Sequence, residues 1–514
     1  MNFHMIRHRP RRFSAGGGLP GRRTTPGVIG LVALAATLVG IAITQIGPQA
    51  LILVVFSGLV ILSSWLMMQK AVGVFNLQAL TIPGFTYLMY FVLIVLPAFY
   101  VYGEQVEPFR TTYIFAVLSV LITVPAGIIL VNFILHFGKR EITDYYQAPI
   151  RSETASPAGY TLLVIIALAL TAVNFWEVRT VPLLYLIQNP GDYFGVAMLR
   201  EEAGKLLNSP LSYAYFVLKI VVYPFLILLA CSRYLASKRI PWLVTFLGLL
   251  LVGIIYCGMA VEKGVVAAIF AELFILFYLY KGGRPGKAAI LLAPIAFFAF
   301  PAFILSQQYR GLVHGTPAGI ASDILERVFH GPASVLYYYF EVFPAALPYQ
   351  YGGSIGKFSV LMGWRSSNIP NAVGLYITHG ARGTLESVNA NAAFIGNLNA
   401  DFGLVGVLLG GVIAGMVLQA AQIHLLRRPK TEQTLAICAF WMWTFSCLYD
   451  TPLPAVLLSY GVLLAPVILW VMKLCEPLSP ARLLPRTGAR MGVRSVRAHS
   501  ALGVSPPPPR MRVR

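Results

Sequence analysis

TYIFAVLSVLITVPAGIILVNFILH, residues 112–136, runs without a single Asp, Glu, Lys or Arg and is followed at once by Lys139 and Arg140. A helix needs about 20 apolar residues to cross the hydrocarbon of a bilayer, so this stretch reads as a membrane span closed by a basic flank. Windows of that size, read outward from it, give twelve candidates: 27–46, 48–68, 82–102, 112–136, 159–177, 211–231, 241–259, 264–280, 288–306, 402–422, 433–449 and 455–473.

Composition agrees. Of 514 residues, 57% are apolar and 11% charged, with a mean hydropathy of +0.73. Soluble domains average about 45–50% apolar and about 25% charged. The expectation is an all-α polytopic integral membrane protein of about twelve transmembrane helices. A disordered chain, a disulfide-rich secreted scaffold and an ordinary cytosolic enzyme are excluded.

The net charge of +20 is carried by flanks and loops. Residues 1–26 hold six arginines and no acid, and no aromatic-interleaved basic face accompanies them, so nucleic acid is not an expected partner. With the first residues inside, the alternate set 1–26, 69–81, 137–158, 232–240, 281–287, 423–432 and the tail from Lys473 holds 28 of the 39 Lys and Arg. Positive residues favour the cytoplasmic side, which predicts both termini inside. The run 28–46 is too long for a cleaved signal core and reads as a retained span. Five cysteines lack metal-site spacing and read as free thiols.

This organisation divides the chain into a basic N-terminus (1–26), spans 1–9 with an external loop at 178–210 (27–306), a large external loop between spans 9 and 10 (307–401), spans 10–12 (402–473) and a basic, proline-rich tail (474–514). Loops as long as 307–401 are usually functional or disordered. Its aromatic content and lack of charge runs predict that it folds.

No HExxH, GxSxG or Cys/His cluster is present, and the glycine-rich turn 282–288 lacks the spacing and Ser/Thr of a phosphate loop. No metal or cofactor is expected. What stands out is a set of basic residues in the external segments: Arg179, Arg200, Lys205, Arg310, Arg327, Lys357, Arg365 and Arg382, with Lys263 in a short turn. Guanidinium forks match phosphate oxygens bidentately, so the group points to an anionic ligand; singly, each also reads as a solvated charge. His330 follows Glu326 by four residues and Arg327 by three, placing all three on one helical face, whereas His314 has only Arg310 at such spacing. A histidine so placed suits a general base or a surface ion pair. Tyr338, within the run 337–340, and Trp364 offer faces for stacking on sugars, and equally suit a membrane interface.

Within the spans, Lys219 and Glu272 lie near the middles of windows six and eight, and a mutual ion pair is expected. Gly403, Gly406, Gly410, Gly411 and Gly415 read as a close-packing face.

Three stretches carry a family resemblance: Glu262-Lys263-Gly264 opening a span, the region from Arg310 to Pro344, and the small-residue run 391–406. In these the chain resembles bacterial oligosaccharide repeat-unit polymerases of the Wzy type over roughly residues 160–420. The resemblance implies an inner-membrane enzyme that joins undecaprenyl-pyrophosphate-linked oligosaccharide units at the periplasmic face by metal-independent, inverting glycosyl transfer. It implies a flippase and a chain-length regulator as companions. By that resemblance Arg310 and Arg327, with Arg200, hold pyrophosphate and His330 or His314 supplies the base. From the residues alone, Arg179 and Lys263 read as further contacts to the anion, and Glu326 as the orienter of His330 or a base in its place. An O-antigen ligase uses similar parts. A secondary transporter or lipid-linked-oligosaccharide flippase is the alternative from another class, although no internal repeat is visible.

Overall fold

The computed structural model describes residues 49–73, 80–105, 107–151, 158–178, 180–205, 211–282, 287–308, 316–355, 363, 366–378 and 389–474. The helices are α1 (Gln49–Ala71), α2 (Ile82–Glu104), α3 (Phe109–Ile134), α4 (Lys139–Gln147), α5 (Ala158–Glu177), α6 (Pro182–Gln188), α7 (Tyr193–Lys205), α8 (Ser212–Ser237), α9 (Ile240–Gly258) and α10 (Lys263–Tyr280). They continue with α11 (Lys287–Gln308), α12 (Pro317–Leu325), α13 (Gly331–Val342), α14 (Ile369–Ile377), α15 (Phe394–Leu426), α16 (Glu432–Ser446), α17 (Leu453–Leu458) and α18 (Leu464–Leu474). Among the described residues there is no strand, only an isolated bridge between Arg151 and Thr431.

Eight of these helices are long and apolar enough to cross a membrane: α1, α2, α3, α5, α8, α9, α10 and α15. The chain is thus an all-α, multi-pass membrane protein. The window 27–46 lies outside the described residues. Windows 433–449 and 455–473 differ from the expected full spans. The first forms α16, only 15 residues long and almost wholly buried. The second breaks at Gly461 (φ +94°), where a Cβ would stand 2.6 Å from Val221, so the chain can turn there only without a side chain.

Hydrogen bonds tie loop to loop in two separate groups. In one, Lys430 Nζ donates to the carbonyls of Tyr146 (2.9 Å) and Ala148 (3.1 Å), and Lys139 donates to the carbonyl of Gln69. In the other, Leu183 N donates to Met259 O (3.0 Å) and Gly191 N to Gln307 O (2.8 Å). The second marks the Lys263 end.

Helix α15 packs against α3 through glycine. A Cβ on Gly127 would collide with the Val412 carbonyl, and one on Gly411 or Gly415 with Thr123 or the Val124 carbonyl. Small residues let backbones meet where lipid supplies no hydrophobic drive. The same helix satisfies helix termini in the interior. Gln422 Oε1 accepts from Ile82 N (2.8 Å), and Gln419 Nε2 donates to Asn132 Oδ1 (2.5 Å), whose Nδ2 donates to Ala71 O (3.1 Å).

At Gly403 the backbone adopts φ 63°, ψ −156° and divides α15. Only glycine occupies that region at low cost. Undivided, 33 residues would reach about 50 Å at 1.5 Å per residue, well beyond a bilayer core. The part after the break is the span; the part before it carries buried Asn397, Asn399 and Asp401 toward the Lys263 end.

Three π-turns interrupt the described helices: Phe91–Val95 in α2, Leu218–Val222 in α8, and Glu326–His330 between α12 and α13. Each is followed two residues later by a proline: Pro97, Pro224 and Pro332. A proline ring clashes with the carbonyl four residues back, and widening the turn to a five-residue hydrogen bond accommodates it. Those bonds are Leu96 N to Phe91 O, Tyr223 N to Leu218 O, and Gly331 N to Glu326 O.

Candidate functional site

Helix α12 begins at Thr316, whose hydroxyl accepts from Gly319 N at 3.1 Å, and Pro317 pre-sets the first turn. It leads into the π-turn holding Glu326, Arg327 and His330. The wider turn changes the angular spacing on which a shared Glu326–His330 face depends. The carboxylate that meets His330 comes from elsewhere: Glu104 Oε2, at the end of α2, lies 3.0 Å from Nε2. Both side chains are partly exposed, and the Tyr100 ring stands edge-on to the imidazole at 5.6 Å. Sequence reasoning missed Glu104; its only signal was an acid closing a span.

Three basic residues from separate segments bear on one another through space, because the charges of Arg200 and Arg327 act on Lys263. Lys263 opens α10 and donates from Nζ to Oε1 of buried Gln308 at 2.7 Å. Arg200 on α7 and Arg327 in the π-turn both lie close enough to repel its ammonium, and Asp323 close enough to attract it. Arg200 is exposed, Ile324, Leu325 and Glu326 separate Asp323 from Arg327, and Arg327 precedes His330 by three. Arg179, Arg310, His314 and Trp364 lie outside the described residues.

The tyrosine run serves two purposes. Tyr337 and Tyr339 are core residues; the Tyr339 hydroxyl donates to Ala390 O at 2.8 Å, and Tyr113 donates to Ala333 O at 3.0 Å. Helix α13 therefore belongs to the core of the bundle, although it falls within the expected external loop. Tyr338 is half-buried with its ring edge against Tyr337 at 5.7 Å. Nearby, Tyr376 donates to Glu341 at 2.9 Å, and that bond raises its phenol above the ordinary value. Glu107 accepts from Arg110 (2.8 Å) and Thr111 (2.7 Å), which hold its carboxyl below the usual range.

The expected ion pair between Lys219 and Glu272 is corrected. Lys219 Nζ is bound to Glu262 Oε2 at 2.6 Å. Lys219 sits in the π-turn of α8, and Glu262 precedes α10, so a pair at the bundle's end replaces one at mid-membrane. Glu272 is buried, and no described residue reaches its Oε2.

Among the described residues no group of three or more His, Cys, Asp or Glu is placed to hold a metal ion. The described cysteines, Cys231, Cys257, Cys438 and Cys447, are free and buried. Chemically, Arg200, Arg327 and Lys263 offer positive charge to an anion, and Glu104 orients the His330 imidazole. Set against known proteins, the chain matches no family model, no curated protein and no solved structure.

Proposed function

We propose that the chain is a glycosyltransferase-type polysaccharide polymerase, transferring a growing oligosaccharide from undecaprenyl pyrophosphate to a hydroxyl of a second lipid-linked unit. What supports this reading is that Arg200 and Arg327, from separate segments, act electrostatically on Lys263, and that Arg327 precedes by three residues the His330 that meets Glu104. A pyrophosphate at a membrane surface needs several cationic donors, and an acceptor hydroxyl needs a base.

In this reading Nε2–H of His330 is donated to Glu104, and Nδ1 removes the acceptor hydroxyl proton. The acceptor oxygen attacks the anomeric carbon from the face opposite the leaving group. The bond from that carbon to the pyrophosphate oxygen breaks, its electron pair leaves with undecaprenyl pyrophosphate, and configuration inverts. Arg200, Arg327 and Lys263 neutralise the departing charge, joined by Arg310 and Arg179; His314 and Glu326 are the other bases. Tyr338 and Trp364 stack on sugar rings. The same reading places the chain in a bacterial inner membrane with twelve spans, both termini in the cytoplasm and the Lys263 end in the periplasm, working with a flippase and a chain-length regulator.

Reconstitution with lipid-linked repeat units is the test. A ladder of products from repeat units alone supports a polymerase, products only when a lipid A–core acceptor is added indicate an O-antigen ligase, and no transfer in either arm ends the enzyme reading. A second reading, a secondary transporter or lipid-linked-oligosaccharide flippase, is favoured by the break at Gly403, because discontinuous helices are frequent in transporters. Movement of intact lipid-linked units between leaflets without transfer is its signature.

A further inference from the structure

Behind the Lys219–Glu262 pair, a cavity of about 360 Å³ descends between α8, α10 and α16. Its most accessible wall is the turn at residues 262–264, where Gly264 is exposed and the Glu262 side chain retains 35% of its accessible surface; this turn is taken as the mouth. Deeper along α10 the wall includes Glu272, about 13 Å from Lys263 at 1.5 Å per residue. Glu272 is only 2% exposed, yet its Oε2 meets no hydrogen-bond partner among the described residues.

An ionised carboxylate without a partner is strongly disfavoured in such surroundings. It persists with a counter-cation or as the neutral acid. The neighbouring lysines are engaged: Lys219 by Glu262 at 2.6 Å, and Lys263 by Gln308 at 2.7 Å. A proton is the remaining compensation. The cavity is largely apolar but roomy enough for ordered water, which needs about 30 Å³ per molecule and two to four polar partners, and Glu262, Glu272, Thr444 and Asp450 put such partners on its wall.

We propose that Glu272 is a neutral carboxylic acid at the inner end of a water-lined inlet, exchanging its proton with the solution at the 262–264 mouth. The titratable and charged groups around it come from every neighbouring element. Its own helix and the turn before it supply Glu262 and Lys263, α8 supplies Lys219, and α9 supplies Cys257. The end of α16 and the turns beyond add Cys447, Tyr449, Asp450 and Tyr460, while α11 carries no titratable side chain over 294–308. Asp450, whose Oδ1 accepts from Thr451 Oγ1 at 2.8 Å, joins Glu262 and Glu272 as the third carboxylate on the wall, and the proposal gives it the part of a proton relay. The inference uses neither His330 nor the arginines, so it stands apart from the proposed sugar chemistry.

The experiment is carbodiimide labelling of the full chain in proteoliposomes. Dicyclohexylcarbodiimide adds to protonated carboxyl groups, and the site is mapped by mass spectrometry. Label on Glu272 is expected, with a yield that falls as the bathing solution is made more alkaline and the acid is deprotonated. No label on Glu272 at any pH, or a yield indifferent to pH, overturns the proposal. Infrared spectroscopy of the unsubstituted protein gives a second measurement. A carboxylic-acid stretch that shifts in heavy water and disappears in Glu272→Gln is expected; carboxylate bands alone overturn the assignment, even where the variant fails to fold.

Discussion

Glu104 and His330 lie 226 residues apart and meet with Oε2 3.0 Å from Nε2. The contact joins the end of a span to the π-turn between α12 and α13, so it fixes the imidazole relative to the bundle.

If His330 is the base, His330→Ala lowers the rate of sugar transfer by about 10²–10⁴-fold. Glu104→Gln lowers it less, because the imidazole stays and only its orientation and charge balance change. Glu326→Gln stays near wild type. Initial rates with reconstituted protein at matched membrane content decide the order, and equal rates for His330→Ala and wild type remove His330 from the mechanism.

Arg327→Lys and Arg200→Lys each retain a cation but lose the planar fork. Each is expected to weaken binding of a lipid pyrophosphate by about tenfold or more, the worth of one hydrogen bond to a charged group. Equilibrium binding of undecaprenyl pyrophosphate to protein in nanodiscs measures it; unchanged affinity in both variants rules out a shared pyrophosphate site.

Lys219→Met leaves Glu262 without its partner, and Glu262→Leu does the converse. Removing one member of a buried pair costs about 3–5 kcal/mol; with side-chain exposures of 17% and 35%, about 1–3 kcal/mol is expected here. The double variant recovers most of the loss in thermal melts, whereas combining Lys219→Met with Glu272→Leu does not.

Gly403→Ala forces a Cβ into φ 63°, ψ −156°, 2.9 Å from the Tyr349 hydroxyl. Strain of this kind costs about 1–3 kcal/mol, and Tyr349→Phe in the same chain relieves only the contact. Melting temperatures of the single and double variants separate the two effects.

Most of the helices were legible because a run such as 112–136 can satisfy its backbone in lipid only as a helix. Gly411 and Gly415 were legible for the same reason, as small residues at helical spacing that let α3 approach; Gly403, grouped with them in sequence, is the break instead, and Gly406 and Gly410 face Leu398 of their own helix. The π-turns were not, since a period of 3.6 read through Pro332 gives Glu326 and His330 a common face that the widened turn changes. The partners of Lys219 and His330 were invisible too. Both are long-range contacts, and by depth in a span and by helical spacing Glu272 and Glu326 are nearer matches in sequence than Glu262 and Glu104. Tyr337 and Tyr339 look alike in sequence to Tyr338, and only the direction of the α13 face separates core from surface.

The contact between α3 and α15 has a mechanical side. With Gly127 under the Val412 carbonyl and Gly415 under that of Val124, no layer of side chains lies between the two backbones to act as a bearing. The helices cannot slide or roll past one another without backbone collision, so they behave as a single keel. Any working stroke of this protein has to be taken up at other seams, with α3 and α15 as the fixed frame against which it moves.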